Sequence, residues 1–199
     1  MCTKGAVVAE LFAKAIASTK GFDQNLRKVK VVCCGNGRML TEFQVGAEHL
    51  NQRGTLHGGF IAHLVDAIST YALTTNEKVE TRGVSIDISV SYLTAAREGD
   101  NIEVEAITKK TGKKIAFLEV LVRNKDTNQL LATGRHTKYI GGGALANPVD
   151  RWPRAIQIKL FLNKRPHTVH TLTHDFDHIV ISSTFLILLF RDEMNDEPP

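Results

Sequence analysis

Apolar residues follow a helical spacing in two segments of the chain, residues 5–19 and residues 58–75. In the second segment, an apolar stripe is formed by Ile61, Leu64, Val65, Ile68 and Ala72. Because residues three and four apart share one face of a helix, the stripe predicts a helix that is buried along one side. Beside the stripe runs a face of small residues and one acid, formed by Gly59, Ala62, Asp66 and Ser69.

Six other segments are rich in β-branched residues or alternate apolar with polar residues, and they predict strands. They are residues 28–34, 38–45, 83–93, 101–109, 113–123 and 129–140. Gly35-Asn36-Gly37 joins the first two, and its Asn-Gly step is typical of a β-hairpin. In the third segment, strict alternation predicts one face formed by Val84, Ile86, Ile88, Val90 and Tyr92 and an opposite face formed by Ser85, Asp87, Ser89 and Ser91.

The order of these elements predicts the fold class. A helix and two strands are followed by the long apolar helix and then by four closely spaced strands. Strands with short connections pair antiparallel, and a largely apolar helix has to be covered by the sheet. We therefore expect an α+β domain over residues 1–143, in which an antiparallel sheet wraps around one long central helix and the last four strands form a meander. Gly141-Gly142-Gly143 ends this domain, and for the C-terminal extension, residues 144–199, the pattern predicts no fold and leaves disorder open.

The composition is that of a globular protein, with 43% hydrophobic and 23% charged residues. The net charge of +4 is too small and too interspersed with acids for a nucleic-acid-binding domain, whereas it suits a ligand with a few phosphates. Cys2, Cys33 and Cys34 do not form a disulfide framework, because two are adjacent and one is terminal, and this indicates a reducing compartment. The apolar run over residues 179–190 is too short to cross a bilayer, so we expect no membrane-spanning segment.

Four histidines of the extension stand at helical spacings, namely His167, His170, His174 and His178. They lack the His-Glu-x-x-His pattern of a zinc site, and Pro166 disfavours a continuous helix at this point. We therefore expect no metal site in this chain.

Asp66 is the main candidate for a catalytic group. A carboxylate beside small side chains at a cleft can act as a general base or as a nucleophile. Gly58 and Gly59 leave the backbone N–H groups of the helix start accessible, where the helix dipole favours a developing oxyanion. His57 precedes this turn and either orients a substrate carbonyl or caps the loop. Each feature alone also has a structural explanation, and only their combination favours a catalytic site.

Four segments carry a family resemblance: GTLHGGFIAHLVDAIST, GVSIDISVSYL, GKKIAFLEV and GRHTKYIG. Together with the order of elements, they make residues 5–143 similar to the hotdog-fold acyl-CoA thioesterases. The resemblance implies a hotdog fold and implies that Asp66 is the catalytic carboxylate. It further implies that the N–H of Gly58 polarises the thioester carbonyl.

The same resemblance implies roles for three more residues and an assembly. Asn51 and His57 match positions that hold and orient the thioester, and Ser85 matches one that helps to position the attacking water. Each site would draw Asn51, His57 and Gly58 from one subunit and Asp66 and Ser85 from the other, in a homodimer that pairs into a homotetramer. No cofactor or metal is implied, because coenzyme A is part of the substrate.

Coenzyme A contacts are implied for two segments and two further residues. These are Ser85, Tyr92, Leu93, Thr94, Ala95, Ala96, Arg97, Lys110, Thr111, Gly112, Lys113, Lys114, Ile115 and Tyr139. The basic residues among them could face the phosphates of the carrier. Ala95 departs from the family pattern, because relatives often have proline there.

The expected function is therefore hydrolysis of medium- to long-chain fatty acyl-CoA in the cytoplasm or the mitochondrion. One alternative keeps the fold and changes the reaction to hydration or dehydration of an acyl thioester, with His57 as the partner of the acid. Another alternative is a non-catalytic scaffold that binds acyl-CoA.

Overall fold

A computed structural model of the chain describes residues 3–79 and 81–141. The helices are α1 (Thr3–Ser18) and α2 (Gly58–Thr74), with two short 3-10 helices at Phe22–Leu26 and Ala47–His49. The strands are β1 (Lys30–Gly35), β2 (Arg38–Gln44), β3 (Val84–Tyr92), β4 (Asn101–Thr111), β5 (Ile115–Asn124) and β6 (Leu130–Tyr139). The predicted α+β class is confirmed. The predicted end of the domain at residue 143, the four histidines of the extension and the run over residues 179–190 all lie outside the described residues.

The six strands form one antiparallel sheet in the order β1-β2-β4-β5-β6-β3. The predicted meander is correct for β4, β5 and β6 but wrong for β3, which pairs with β6 instead of β4. The turns at residues 112–114 and 125–129 are short enough to hold their strands side by side. Residues 93–100 form a longer connection, and β4 already lies between β2 and β5, so β3 occupies the far edge of the sheet.

Helix α2 packs across the sheet and contacts β2 to β6. The predicted stripe is its buried side, where each of the five residues is at most 4% exposed. Burial of a leucine, isoleucine or valine side chain typically contributes about 1.5–3 kcal/mol. Ser69 is also fully buried, so the face of small residues remains accessible only at Gly59, Ala62 and Asp66.

Strand β6 approaches α2 unusually closely at Gly134. A Cβ atom at this position would lie 2.5 Å from a side-chain carbon of Val65. Only glycine therefore lets β6 lie this close to the turn of α2 that carries Asp66. Within the described residues, no helix is long and apolar enough to cross a membrane.

Candidate active site

Asp66 lies in the middle of α2, where its side chain is 46% exposed. Its Oδ1 atom is 3.5 Å from the Ser85 hydroxyl oxygen on β3 and 3.8 Å from Nε2 of His136 on β6. The carboxylate therefore has one side open and one side against polar groups of the sheet. An acid in this position can receive a proton from a group that enters from solvent.

A β-bulge brings Ser85 to this side of the sheet. Ser85 pairs with Lys138 and Asp87 pairs with Thr137, so Ile86 is an extra residue in β3. Because one inserted residue reverses the alternation, Ser85 shares the face of Ile88, which points toward α2. The predicted grouping of Ser85 with Asp87 on the opposite face was wrong, since strict alternation does not allow for a bulge.

Behind Asp66 lies a buried polar network that the sequence analysis did not identify. The side chains of His136 and Lys138 are on β6 and are only 1% and 3% exposed. Nδ1 of His136 lies 2.7 Å from the Ser69 hydroxyl, and Nε2 lies 2.9 Å from the Ser85 hydroxyl. Nζ of Lys138 donates to Thr70 at 2.9 Å and to Ser85 at 3.4 Å. The sequence does contain one indication of this network. His136 and Lys138 are two residues apart in the segment GRHTKYIG, so they lie on the same face of a strand.

The pKa of His136 is lowered from 6.5 to about 4, first by burial and then by the positive charge of Lys138, against the opposing effect of Asp66 and Asp87. The imidazole is therefore neutral near pH 7. A neutral ring has one N–H donor and one acceptor nitrogen, and its two hydroxyl neighbours can satisfy both.

At the start of α2, His57 is the residue directly before the helix. Its Nδ1 accepts a hydrogen bond of 2.8 Å from the N–H of Gly59, so His57 caps the helix. The N–H of Gly58 donates to no group among the described residues, and Gly58 is only half-buried. The hydroxyl of Tyr92 donates to the carbonyl of Gly58 at 3.0 Å. One backbone donor at the helix start is thus available to an oxyanion.

The loop before His57 is held by Asn51. Its Oδ1 accepts hydrogen bonds from the N–H groups of Arg53 and Thr55, and its Nδ2 donates to the Thr55 hydroxyl. This loop binds the segment at residues 92–97 through a β-bridge between Thr55 and Arg97 and a bond from the N–H of Leu56 to the carbonyl of Ala96. Ala96 as a whole is only 2% exposed in the single chain, so it offers almost no surface to a carrier.

The predicted site residues fall into two groups in one chain. The first half-site contains Asn51, His57, Gly58 and residues 92–97, which the contacts above hold together. The second half-site contains Asp66, Ser85, residues 110–115 and Tyr139. Tyr139 pairs with both Val84 and Ile115, and the N–H of Ile140 donates to the carbonyl of Lys114 at 2.7 Å.

The two half-sites are too far apart to act on one carbonyl within a chain. Gly58 and Asp66 are eight residues apart on α2, which corresponds to roughly 12 Å of helix. Val84 and Tyr92 mark opposite ends of β3, about 26 Å apart for an extended strand. A hydrogen-bond donor and a base must both lie about 3 Å from the reacting group. Within the described residues, no group of three or more His, Cys, Asp or Glu side chains is placed to hold a metal.

Comparison with known proteins finds one family model and close relatives. Residues 53–131, which include His57, Gly58, Asp66 and Ser85, match the family model described as thioesterase superfamily. Acyl-coenzyme A thioesterase 13 from Homo sapiens is 42% identical over 128 residues, which are 64% of this chain and 91% of the human protein. Zebra fish thioesterase superfamily member 2 matches with a TM-score of 0.65 and 42% identity over 67% of this chain and 96% of its own. The Mus musculus member 2 structure matches with a TM-score of 0.64 and 38% identity over 71% of this chain and 100% of its own.

Proposed function

The chain belongs to the thioesterase superfamily and is a thioester hydrolase, and from this premise we propose that it hydrolyses medium- to long-chain fatty acyl-CoA to the free fatty acid and coenzyme A. The human relative is named for its action on acyl-coenzyme A, and this supports acyl-CoA as the substrate class. Exposed cations at Arg97, Lys110, Lys113 and Lys114 support a phosphate-bearing carrier. Cys33 is an exposed thiol, which suits a reducing compartment such as the cytoplasm or the mitochondrion.

The observation that carries the proposed chemistry is the Asp66 carboxylate beside Ser85, with one side open to solvent. In the proposed reaction, Asp66 removes a proton from water while the water oxygen attacks the thioester carbonyl carbon, and Ser85 positions that water. Direct attack by the carboxylate, followed by hydrolysis of the anhydride, is the alternative route. The negative charge on the carbonyl oxygen is stabilised by the N–H of Gly58. The C–S bond then breaks, and the coenzyme A thiolate takes up a proton, so the reaction requires no bound cofactor or metal.

The same proposal requires two copies of the chain, because the Gly58 and Asp66 half-sites are roughly 12 Å apart along one helix. Strand β3 is the edge of the sheet, and its Ile86 side chain is 55% exposed. If β3 pairs antiparallel with β3 of a second copy about a twofold axis, the Tyr92 end of one strand meets the Val84 end of the other. Such a homodimer joins the first half-site of one copy to the second half-site of its partner.

In this homodimer, the two implied carrier-binding segments also come together. Residues 92–97 of one copy approach residues 110–115 and Tyr139 of the other, and together they provide a basic surface for the phosphates. Asn51 and His57 of the first copy orient the thioester. Pairing of two such dimers into a homotetramer is part of the proposal.

Hydration or dehydration of an acyl thioester is less well supported. Within one chain, the histidine that lies beside Asp66 is His136 rather than His57, and both ring nitrogens of His136 face hydroxyl groups of the chain. His136 is also buried, so it has no open face toward a substrate. A purely binding function does not require an acid with one open side.

A panel of acyl-CoA substrates from acetyl to palmitoyl tests the proposal, with the released thiol followed by a thiol-reactive dye. We expect turnover to rise with chain length and Asp66→Asn to lower kcat by at least about 10²-fold with little change in KM, because the base is lost and binding is kept. Asp126→Asn is the matched control, since Asp126 is an exposed carboxylate in the β5–β6 turn. Near-normal turnover by Asp66→Asn contradicts the mechanism. Hydration of an enoyl-CoA without thiol release supports the rival reaction instead.

A further inference from the structure

Lys138 is a buried lysine with no role in the chemistry described so far. It lies on β6, two residues after His136, and its residue is only 3% exposed. Lysine is almost never this deeply buried unless its charge is paired or hydrogen-bonded. Its position beneath Ser85 therefore needs an explanation from its contacts.

The contacts of Lys138 join the helix to the catalytic strand. Its Nζ atom lies 2.9 Å from the hydroxyl of Thr70, one turn after Asp66 on α2, and 3.4 Å from the hydroxyl of Ser85 on β3. An ammonium group has three donors and no acceptor, so both hydroxyl oxygens must accept. Thr70 thus holds the amino group of Lys138, and Ser85 receives one of its hydrogens.

Because the Ser85 oxygen accepts a hydrogen bond from Lys138, few acceptors remain for the hydrogen of the Ser85 hydroxyl. In the tautomer with its hydrogen on Nε2, His136 also donates to this oxygen, over 2.9 Å. Its Nδ1 then accepts the single hydrogen of the Ser69 hydroxyl at 2.7 Å, in place of the backbone carbonyl of Asp66, which lies 3.2 Å from the same oxygen. Since Lys138 and His136 both donate to the Ser85 oxygen, the hydroxyl hydrogen of Ser85 points away from them. It is then donated to the Asp66 carboxylate, 3.5 Å away, or to a water between the two groups.

We propose that Lys138 is a positioning residue, which acts through Ser85 to direct the Ser85 hydroxyl toward Asp66 and the attacking water. This inference rests on the proposed function, because it assigns Lys138 a part in the same site. It goes beyond that function, since Lys138 touches neither substrate nor water in the proposed mechanism.

Lys138 has a second effect on the site through its charge. The charged groups that face His136 are Asp66 on α2, Asp87 on β3 and Lys138 on β6. Lys138 lowers the pKa of His136, whereas both carboxylates raise it. Without Lys138 only burial opposes the two carboxylates, so the pKa of His136 rises. A protonated His136 would form an ion pair with Asp66 across 3.8 Å. The Asp66 carboxylate, which should accept a proton from water, would then be paired with His136.

The test is Lys138→Met, which keeps an unbranched side chain one atom shorter and removes its charge. We expect kcat for an acyl-CoA to fall about 10- to 100-fold while KM changes less than about 3-fold, as for a misplaced catalytic group. We also expect a new loss of kcat between pH 7 and pH 5, because His136 becomes easier to protonate. Lys109→Met is the matched control, since Lys109 is an exposed lysine of the same sheet that pairs with Glu119.

Two further variants separate positioning from folding. Thr70→Val removes the hydroxyl that holds Lys138 without changing any charge, and we expect a drop in kcat of about 3- to 10-fold with unchanged KM. In a Ser85→Ala background, Lys138→Met should cost little additional kcat at pH 8, because its action runs through Ser85. Wild-type kcat and pH profile in both Lys138→Met and Thr70→Val overturn the inference, as does a full additional loss in the Ser85→Ala background. If the wild-type chain releases no thiol, the proposed function fails instead.

Discussion

At the scale of single residues, the pKa of His136 links the chemistry of the site to the stability of the fold. The pKa of His136 is about 4 in the folded chain, because burial and then the charge of Lys138 lower it from 6.5. Between these two values, the unfolded chain binds a proton at this residue that the folded chain does not bind. Keeping the His136 ring neutral beside Ser85 therefore lowers the free energy of unfolding at acid pH.

The free energy of unfolding should fall as the pH drops from 6.5 toward 4, because more protons are bound in the unfolded state throughout this range. The contribution of His136 is at most on the order of 3 kcal/mol and is absent above pH 6.5. Urea unfolding at pH 7.5 and at pH 5 measures it in the wild type and in His136→Gln. We expect the difference between the two pH values to be smaller in the variant.

Two other histidines, His49 and His63, affect the wild type and the variant equally in this experiment. Burial lowers the pKa of each of them, so they add to the acid destabilisation of wild type and variant alike. The difference between the two proteins therefore reports on His136. An equal loss of stability in both proteins would show that His136 is not neutral in the fold.

At the scale of secondary structure elements, the position of Asp66 depends on how closely α2 lies against β6. Gly134 permits this approach, because a Cβ atom there would lie 2.5 and 2.7 Å from the two terminal carbons of Val65. Val65 directly precedes Asp66, so any shift of α2 at this point moves the carboxylate relative to Ser85. Packing and chemistry are thus coupled through one glycine.

Gly134→Ala should lower the free energy of unfolding by about 1–3 kcal/mol, which is typical of overpacking. It should also lower kcat, because α2 and Asp66 move away from β3. Thermal unfolding and the thiol-release assay measure the two effects. Gly21→Ala is the control, since a Cβ atom there meets nothing closer than 3.9 Å.

A second substitution checks the cause of the Gly134→Ala effect. Val65→Ala removes the two carbons that the new Cβ atom would meet, so it should recover part of the stability in the double variant. Additive losses in the double variant would mean that the Val65 contact is not the reason.

At the scale of the whole molecule, one chain carries one half-site at the start of α2 and the other at its middle, toward opposite ends of β3. The first includes the N–H of Gly58, which has no acceptor among the residues that the structure describes, and the second includes Asp66 and Ser85. The proposed homodimer completes two equivalent sites, each with contributions from both copies. Activity should therefore be recoverable from two different inactive chains.

Asp66→Asn and Asn51→Ala chains test this composite site when they are unfolded together in equal amounts and refolded. Each variant alone should be nearly inactive. In a mixed dimer, the Asn51 of one chain and the Asp66 of the other form one intact site, so the mixture should regain about a quarter of the wild-type kcat per chain. Activity that stays at the level of the separate variants would contradict a site shared between subunits.

The sequence by itself determined the elements and the acid. Spacing of apolar residues predicted α2 and its buried stripe, because a period of 3.6 residues is a local property of the chain. Alternation and the Asn-Gly turn predicted the strands for the same reason. Asp66 was identified because it is the one charged residue on the accessible face of that helix.

Only the tertiary structure decided which residues surround Asp66. The bulge at Ile86, the pairing of β3 with β6 and the burial of His136 and Lys138 all depend on contacts between segments about 50 to 70 residues apart in the chain. A pattern of neighbouring residues does not predict such contacts, because the strand order depends on how the whole sheet covers α2. Through that order, Lys138 becomes the buried support of Ser85.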